Sequence, residues 1–141
     1  MLACCLVVGG CADLATLQEL SLEGPTISAA AFAPGRTVEG CRAVLRFHFD
    51  GDAQHAVGVT HWSLLHRPRG FPASDASLAP AGSGPLAGAV AGEGDIPLTF
   101  QQAGTYHYYL QVEDAAGRWS NALAADITVD RRERDMAGPC P

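Results

Sequence analysis

The chain has 141 residues, 48% hydrophobic and 17% charged, which suits one folded domain large enough to bury a core and excludes general disorder. Its 15 acidic residues against nine basic ones, all arginine, give a formal net charge of −6, and no basic run is longer than Arg131-Arg132. Nucleic-acid binding has no electrostatic footprint in such a chain, and no nucleic-acid partner is expected.

Residues 1–10 carry no charged side chain and lead into Val8-Gly9-Gly10-Cys11. Ten apolar residues are too few to cross a bilayer. An apolar residue, two small residues and a cysteine in that order resemble the lipobox of bacterial lipoproteins. The resemblance implies a signal peptide over 1–10, cleavage before Cys11, and acylation of its sulfur and new amine. Ala12 after Cys11 resembles lipoproteins sent to an outer membrane. The implied location is export and lipid anchoring in a bacterial cell envelope, at the outer membrane. Such signals normally open with a positive charge; a start codon upstream of Met1 would supply it. The plain alternative is a short apolar N-terminus with a chance cysteine.

In the lipoprotein reading Cys4 and Cys5 leave with the signal and Cys11 carries lipid, so Cys41 and Cys140 remain. An even remainder in an exported protein suggests a disulfide; two free thiols are the other reading. No second Cys or His stands at zinc-ligand spacing from either. Residues 11–24 follow as lipidated Cys and tether. Leu14, Leu17 and Leu20 have helix-like spacing, but the segment is too short for a stable free helix. Extended, the 13 residues after Cys11 span at most about 45 Å.

From Pro25 the pattern is that of strands. Thr26 to Phe32 reads as the first, Ala33-Pro34-Gly35-Arg36 as a turn, and Cys41 to Phe49 as a half-buried strand with Ala43, Leu45 and Phe47 on one face. After Asp50-Gly51-Asp52, Ala56 to His66 reads as a third strand, with Trp62 as the expected centre of the core. Residues 67–95 are rich in Pro, Gly, Ala and Ser; Leu78, Leu86 and Val90 mark one or two short edge strands. Ile96 to Phe100 is a strand with Ile96, Leu98 and Phe100 inward. It leads into a hairpin: Gly104-Thr105-Tyr106-His107-Tyr108-Tyr109-Leu110-Gln111-Val112, an Asp114-Ala115-Ala116-Gly117 turn, and a second run through Leu123, Ala125, Ile127 and Val129. Tyr108, Leu110 and Val112 are its core residues. Residues 131–141 form a tail that Cys140 ties down if the disulfide exists.

Short strands with turn signals between them and no convincing helix predict an all-β fold, an immunoglobulin-like antiparallel β-sandwich of about seven strands over 25–130. With the strands placed, residues 50–120 resemble the immunoglobulin-like modules of the polycystic kidney disease type found in bacterial surface proteins. The residues that carry the resemblance are Asp50-Gly51-Asp52, Trp62, Pro68 with Gly70 and Ser74, Phe100, Ala103-Gly104-Thr105-Tyr106, and Leu110-x-Val112-x-Asp114 with Gly117 and Ser120. A fibronectin type III variant satisfies the same residues. Tyr106 fits a tyrosine corner, whose phenol bonds to nearby backbone. If strands simply alternate direction, Cys41 and Cys140 meet at the end of the sandwich opposite the start of the first strand.

The sequence holds no Gly-x-Ser-x-Gly elbow, no His-Glu-x-x-His and no Cys-x-x-Cys, and we expect neither an enzyme nor a cofactor. The five histidines read as solvated strand residues; His61 and His66, an odd five apart, fall on opposite faces, and His48 and His107 could sit side by side on neighbouring strands. Asp50, Asp52 and Asp114 offer a weak calcium option; plain turn residues are the alternative. Arg118 and Trp119, after the hairpin turn, are the candidates for contact. These features suit a non-enzymatic envelope or surface module for protein interaction, adhesion or structural support, its partners being the membrane, through the lipid, and an envelope protein. A carbohydrate- or small-ligand-binding accessory domain is the alternative.

Overall fold

The computed structural model describes residues 16–67, 78–133 and 140. The signal segment, Cys11 and the Pro68, Gly70 and Ser74 positions of the resemblance lie outside them. Eight strands run in sequence among the described residues: β1 (Thr26–Ala33), β2 (Arg36–Val38), β3 (Arg42–Asp50), β4 (Val59–His66), β5 (Ala79–Pro85), β6 (Ala91–Thr99), β7 (Gly104–Asp114) and β8 (Leu123–Asp130). They form a three-stranded sheet, β1-β3-β6, facing a five-stranded sheet, β2-β8-β7-β4-β5. The first strand thus lies against β3 up to Ala33, and after Pro34-Gly35 the chain joins the other sheet as β2, parallel to β8. Every other pairing is antiparallel.

The period-two pattern sets this layout. On β3, Ala43, Leu45, Phe47 and Phe49 are buried while Arg42, Arg46 and Asp50 are exposed, so one face of the strand is core and the other is wet. The opposing sheet contributes Val59, Leu64, Leu110, Val112, Ala125, Ile127 and Val129, and these two faces form one cluster. Phe100 and Tyr108 close it toward one end. Phe32 meets Phe100 edge-on at 6.1 Å and lies 5.5 Å from Tyr108, measured between ring centroids. Burial pushes the Tyr108 phenol up to about 12, with Tyr106 adding to the shift.

Trp62 is not the centre of the core. It is half-buried on β4, beside the edge strand β5, where its cross-strand partner is Gly84 and the next inward position is Gly82. The indole spreads over those two glycines: a Cβ added at Gly84 would lie 2.8 Å from its Nε1. Leu64 and Leu110, paired across β4 and β7 and fully buried, hold the middle instead. The same arrangement lengthens β6. Gly92 and Gly94 pair with Phe49 and Phe47, whose rings cover them, and the strand begins at Ala91, five residues ahead of the expected Ile96.

Candidate functional site

Two polar clusters close the two ends of the sandwich. At the end where β1 begins, β7 finishes in the turn Asp114-Ala115-Ala116-Gly117. Asp114 Oδ1 accepts the N–H groups of Ala116 at 2.9 Å and Arg118 at 3.0 Å, and Gly117 takes the left-handed conformation (φ 79°) that lets the chain reverse. The returning Arg118 donates from Nε to Asp114 Oδ2 at 2.8 Å and from Nη2 to Asp52 Oδ2 at 3.3 Å. The Asp114 side chain is 0% exposed and that of Arg118 22%. The guanidinium thus bridges the β7–β8 turn to the β3–β4 loop.

Asp52 is held a second time by His55, whose Nδ1 lies 2.8 Å from Oδ2 and whose backbone N–H reaches Oδ1 at 3.1 Å. The His55 ring, then its amide, then Arg118 hold the Asp52 carboxyl below its ordinary range. Partial burial works against the Arg118 charge, but Asp114 and Asp52 outweigh it and raise its pKa. Beside this clamp, an open cleft of about 380 Å³ runs between Leu22, Glu23 and Gly24 and the loop from Gly51 to His55.

Residues expected as a loose tether form part of the same end. Gln18 N–H donates to Gln111 Oε1 at 2.9 Å, and Gln111 Nε2 donates back to the Gln18 carbonyl at 2.9 Å and to the Ser120 carbonyl at 3.0 Å. Ser21 N–H reaches the Trp119 carbonyl at 3.1 Å. Asn121 then clamps β1, accepting from Ile27 N–H at 2.8 Å and donating to the Ile27 carbonyl at 3.1 Å. The segment from Gln18 to Gly24 is a strap laid on the domain. Its outward pairing accounts for the burial of Gln111, which interrupts the apolar run of β7.

At the opposite end Cys41 and Cys140 form a disulfide with a Cα–Cα distance of 5.6 Å. Glu39 organises the surroundings. Its carboxylate accepts the N–H groups of Arg132 at 2.9 Å and Ala103 at 3.3 Å, and its carbonyl accepts Arg132 Nε at 3.1 Å. Arg132 Nη2 lies 2.9 Å from Cys41 Sγ. Tyr106 sits near this end, its hydroxyl donating to the Gln102 carbonyl at 2.6 Å in the corner geometry, but the bond is exposed rather than buried.

These placements change several sequence expectations. Asp50, Asp52 and Asp114 are not gathered around one point: Arg118 places its guanidinium between Asp52 and Asp114, while Asp50 lies at the end of β3 with its carboxylate 3.8 Å from His48. Among the described residues no group of three or more His, Cys, Asp or Glu side chains gathers to hold a metal ion. His48 and His107 stand on different sheets, each beside an acid of its own neighbourhood, Asp50 and Asp126. Arg118 is a tie within the fold, not a free contact residue, and Trp119 is half-buried beside it. Sequence reading missed Glu39, Gln111 and Asn121. The one visible signal was Gln111 between Leu110 and Val112; the others act through partners roughly 60 to 90 positions away.

The strand order defines the class, an immunoglobulin-like β-sandwich of three strands against five. No protein-family model and no curated protein matches the chain. Among solved structures it is similar to Spo0M, a sporulation control protein from Bacillus subtilis, at 9% identity and a TM-score of 0.51, over 77% of this chain and 50% of that one. That likeness is one of fold. It is also similar to the PKD domain of an M14-like peptidase from a Thermoplasmatales archaeon (17% identity, TM-score 0.45, 75% of this chain and 92% of that one). A superoxide reductase (neelaredoxin) from Ignicoccus hospitalis is similar over 87% of each chain, at 14% identity and a TM-score of 0.48.

Proposed function

We propose that the chain is a non-enzymatic interaction module of the cell envelope, exported and held to the membrane through lipid on Cys11. The observation that carries this reading is the Cys41–Cys140 disulfide, a bond that persists in oxidising compartments outside the cytosol. It stands together with the apolar leader ending in Val8-Gly9-Gly10-Cys11. The side chains that first suggested chemistry have structural duties: Asp52, Asp114 and Arg118 bond to one another and to backbone, and serve as a clamp. The module's partner is an envelope protein met through the end loops and exposed strand edges. The carbohydrate alternative needs an exposed aromatic platform. Among the described residues Trp62, Trp119, Tyr106 and Tyr109 are half-buried and every phenylalanine is buried, so no observation favours it.

Intact mass of protein extracted from membranes tests the reading. A chain starting at Cys11 and carrying a diacylglycerol and an acyl group is expected, with both lost in Cys11→Ser; an unmodified N-terminus overturns the anchor.

A further inference from the structure

Among the described residues, the exposed large apolar side chains are Leu17, Leu20 and Leu22, at 36%, 49% and 96% relative exposure. Leu20 and Leu22 belong to the strap and Leu17 immediately precedes it, and the strap's hydrogen bonding explains why they face outward. Gln18 and Ser21, which separate the leucines, are the residues whose backbone amides bond to Gln111 and Trp119. The strap therefore spends its polar backbone on the domain and presents its apolar side chains to the surroundings, the reverse of the arrangement that water alone favours. Leu17 follows Cys11 by six residues, a reach of at most about 20 Å.

We propose that Leu17, Leu20 and Leu22 seat in the interfacial layer of the bilayer that carries the Cys11 anchor, so that the Asp114–Arg118 end of the sandwich rests against the membrane. This rests on the lipid-anchor reading above. The short reach lets Leu17 meet the headgroup region, and Leu20 and Leu22 follow within five residues; apolar side chains on a strap with a polar opposite side are accommodated there. Glu19 and Glu23, exposed between and beside the leucines, match a zwitterionic surface better than an anionic one. The acyl chains hold the protein on the membrane; the leucines fix how it stands there.

Trp119 reports on the contact, because its carbonyl accepts the Ser21 amide between Leu20 and Leu22. The lipidated protein carrying Trp62→Phe is reconstituted in phosphatidylcholine vesicles that contain a lipid with a nitroxide near its headgroup. Trp119 fluorescence is expected to be quenched, and the quenching to be lost when Leu17→Ser, Leu20→Ser and Leu22→Ser are added, although that variant stays vesicle-bound and keeps its melting temperature. The same pair is compared with Trp62 retained, which gives the same difference if Trp62→Phe disturbs the fold. Equal quenching in the two proteins, or none in either, overturns the proposal. Intact mass of the same samples separates the causes: an acylated chain with unquenched Trp119 refutes the leucine contact alone, and a chain without acyl mass refutes the anchor.

Discussion

Asp114→Ala is the sharpest test of how the two sheets' loops are held together. The Asp114 carboxylate is 0% exposed and accepts three N–H groups, two from the backbone of Ala116 and Arg118 and one from Arg118 Nε. Hydrogen bonds to a charged acceptor contribute about 1.5–3 kcal/mol each. The two amides sit in a turn whose residues 115–117 are exposed, so water replaces part of each bond and the low end of that range applies. The backbone bonds then account for a loss of about 3 kcal/mol, before any contribution from the guanidinium. For a domain of this size that lowers the melting temperature by roughly 10–15 °C. Asp114→Asn keeps an oxygen for both amides but sets an NH2 donor where Oδ2 accepts Arg118 Nε, so it loses the charge and that bond and falls between wild type and alanine. Differential scanning calorimetry of the three proteins, with and without calcium, is the assay. An alanine variant within about 1 kcal/mol of wild type would show that the turn does not depend on the carboxylate. A calcium-dependent rise in wild type that vanishes in Asp114→Ala would return the site to the cation reading.

Cys140→Ser opens a loop of sequence separation 99 and leaves the buried Cys41 thiol in place. The chain-entropy argument puts the loss at up to about 4.7 kcal/mol, read as a lower urea midpoint that reductant reproduces in the wild-type protein and does not change in the variant. Thr37 is 2% exposed on β2 and its hydroxyl has no hydrogen-bond partner among the described residues, so Thr37→Val is expected to raise stability by about 1 kcal/mol; a loss would mean that the hydroxyl has a partner. Asp52 and Asp130 have carboxyls held below their ordinary pKa, the latter by Arg36. A depressed pKa contributes stability that is present above the unfolded value and lost as pH falls through the folded one, so melting temperature should decline below about pH 4, less steeply in Asp52→Asn with Asp130→Asn. At the other extreme the Tyr108 phenol is raised to about 12, so its contribution is full below pH of about 10 and lost as pH rises toward 12; absorbance at alkaline pH should show one tyrosine ionising late.

The strands that announce themselves in the sequence are those whose own side chains supply the apolar face. β3 and β7 alternate large apolar residues with polar ones, and the fold class follows from them. β5 and the first half of β6 do not, because Gly82, Gly84, Gly92 and Gly94 leave their faces to be covered by Trp62, Phe49 and Phe47 from neighbouring strands. A glycine strand of this kind looks like a loop until its partner's aromatic is in place. The same non-local logic misplaced Trp62: a large aromatic suggests a core centre, but its neighbours across the pair decide where it lies. Asp114, Gly117 and Tyr106 were legible as turn and corner because their partners are within four residues. Arg118 was not, because Asp52 approaches it from 66 positions away, and the strap was not, because Gln18 meets Gln111 across 93.

The disulfide also determines how the chain answers a pull. Tension applied between the ends of the chain enters at the strap, passes through the Gln18–Gln111 and Asn121–Ile27 bonds, and meets the Cys41–Cys140 bond before it reaches most of the sandwich. Residues between the two cysteines cannot be drawn out while the bond is intact, and β3, β7 and β8 carry load only through their contacts with the strap, β1 and β2. Counted from Cys11, only the residues up to Gly40 pay out, to at most about 105 Å, where the stretch from Cys11 to Pro141 would reach about 460 Å with the bond reduced. Oxidised, the domain is a short leash with a closed knot at its end; reduced, it is a long one.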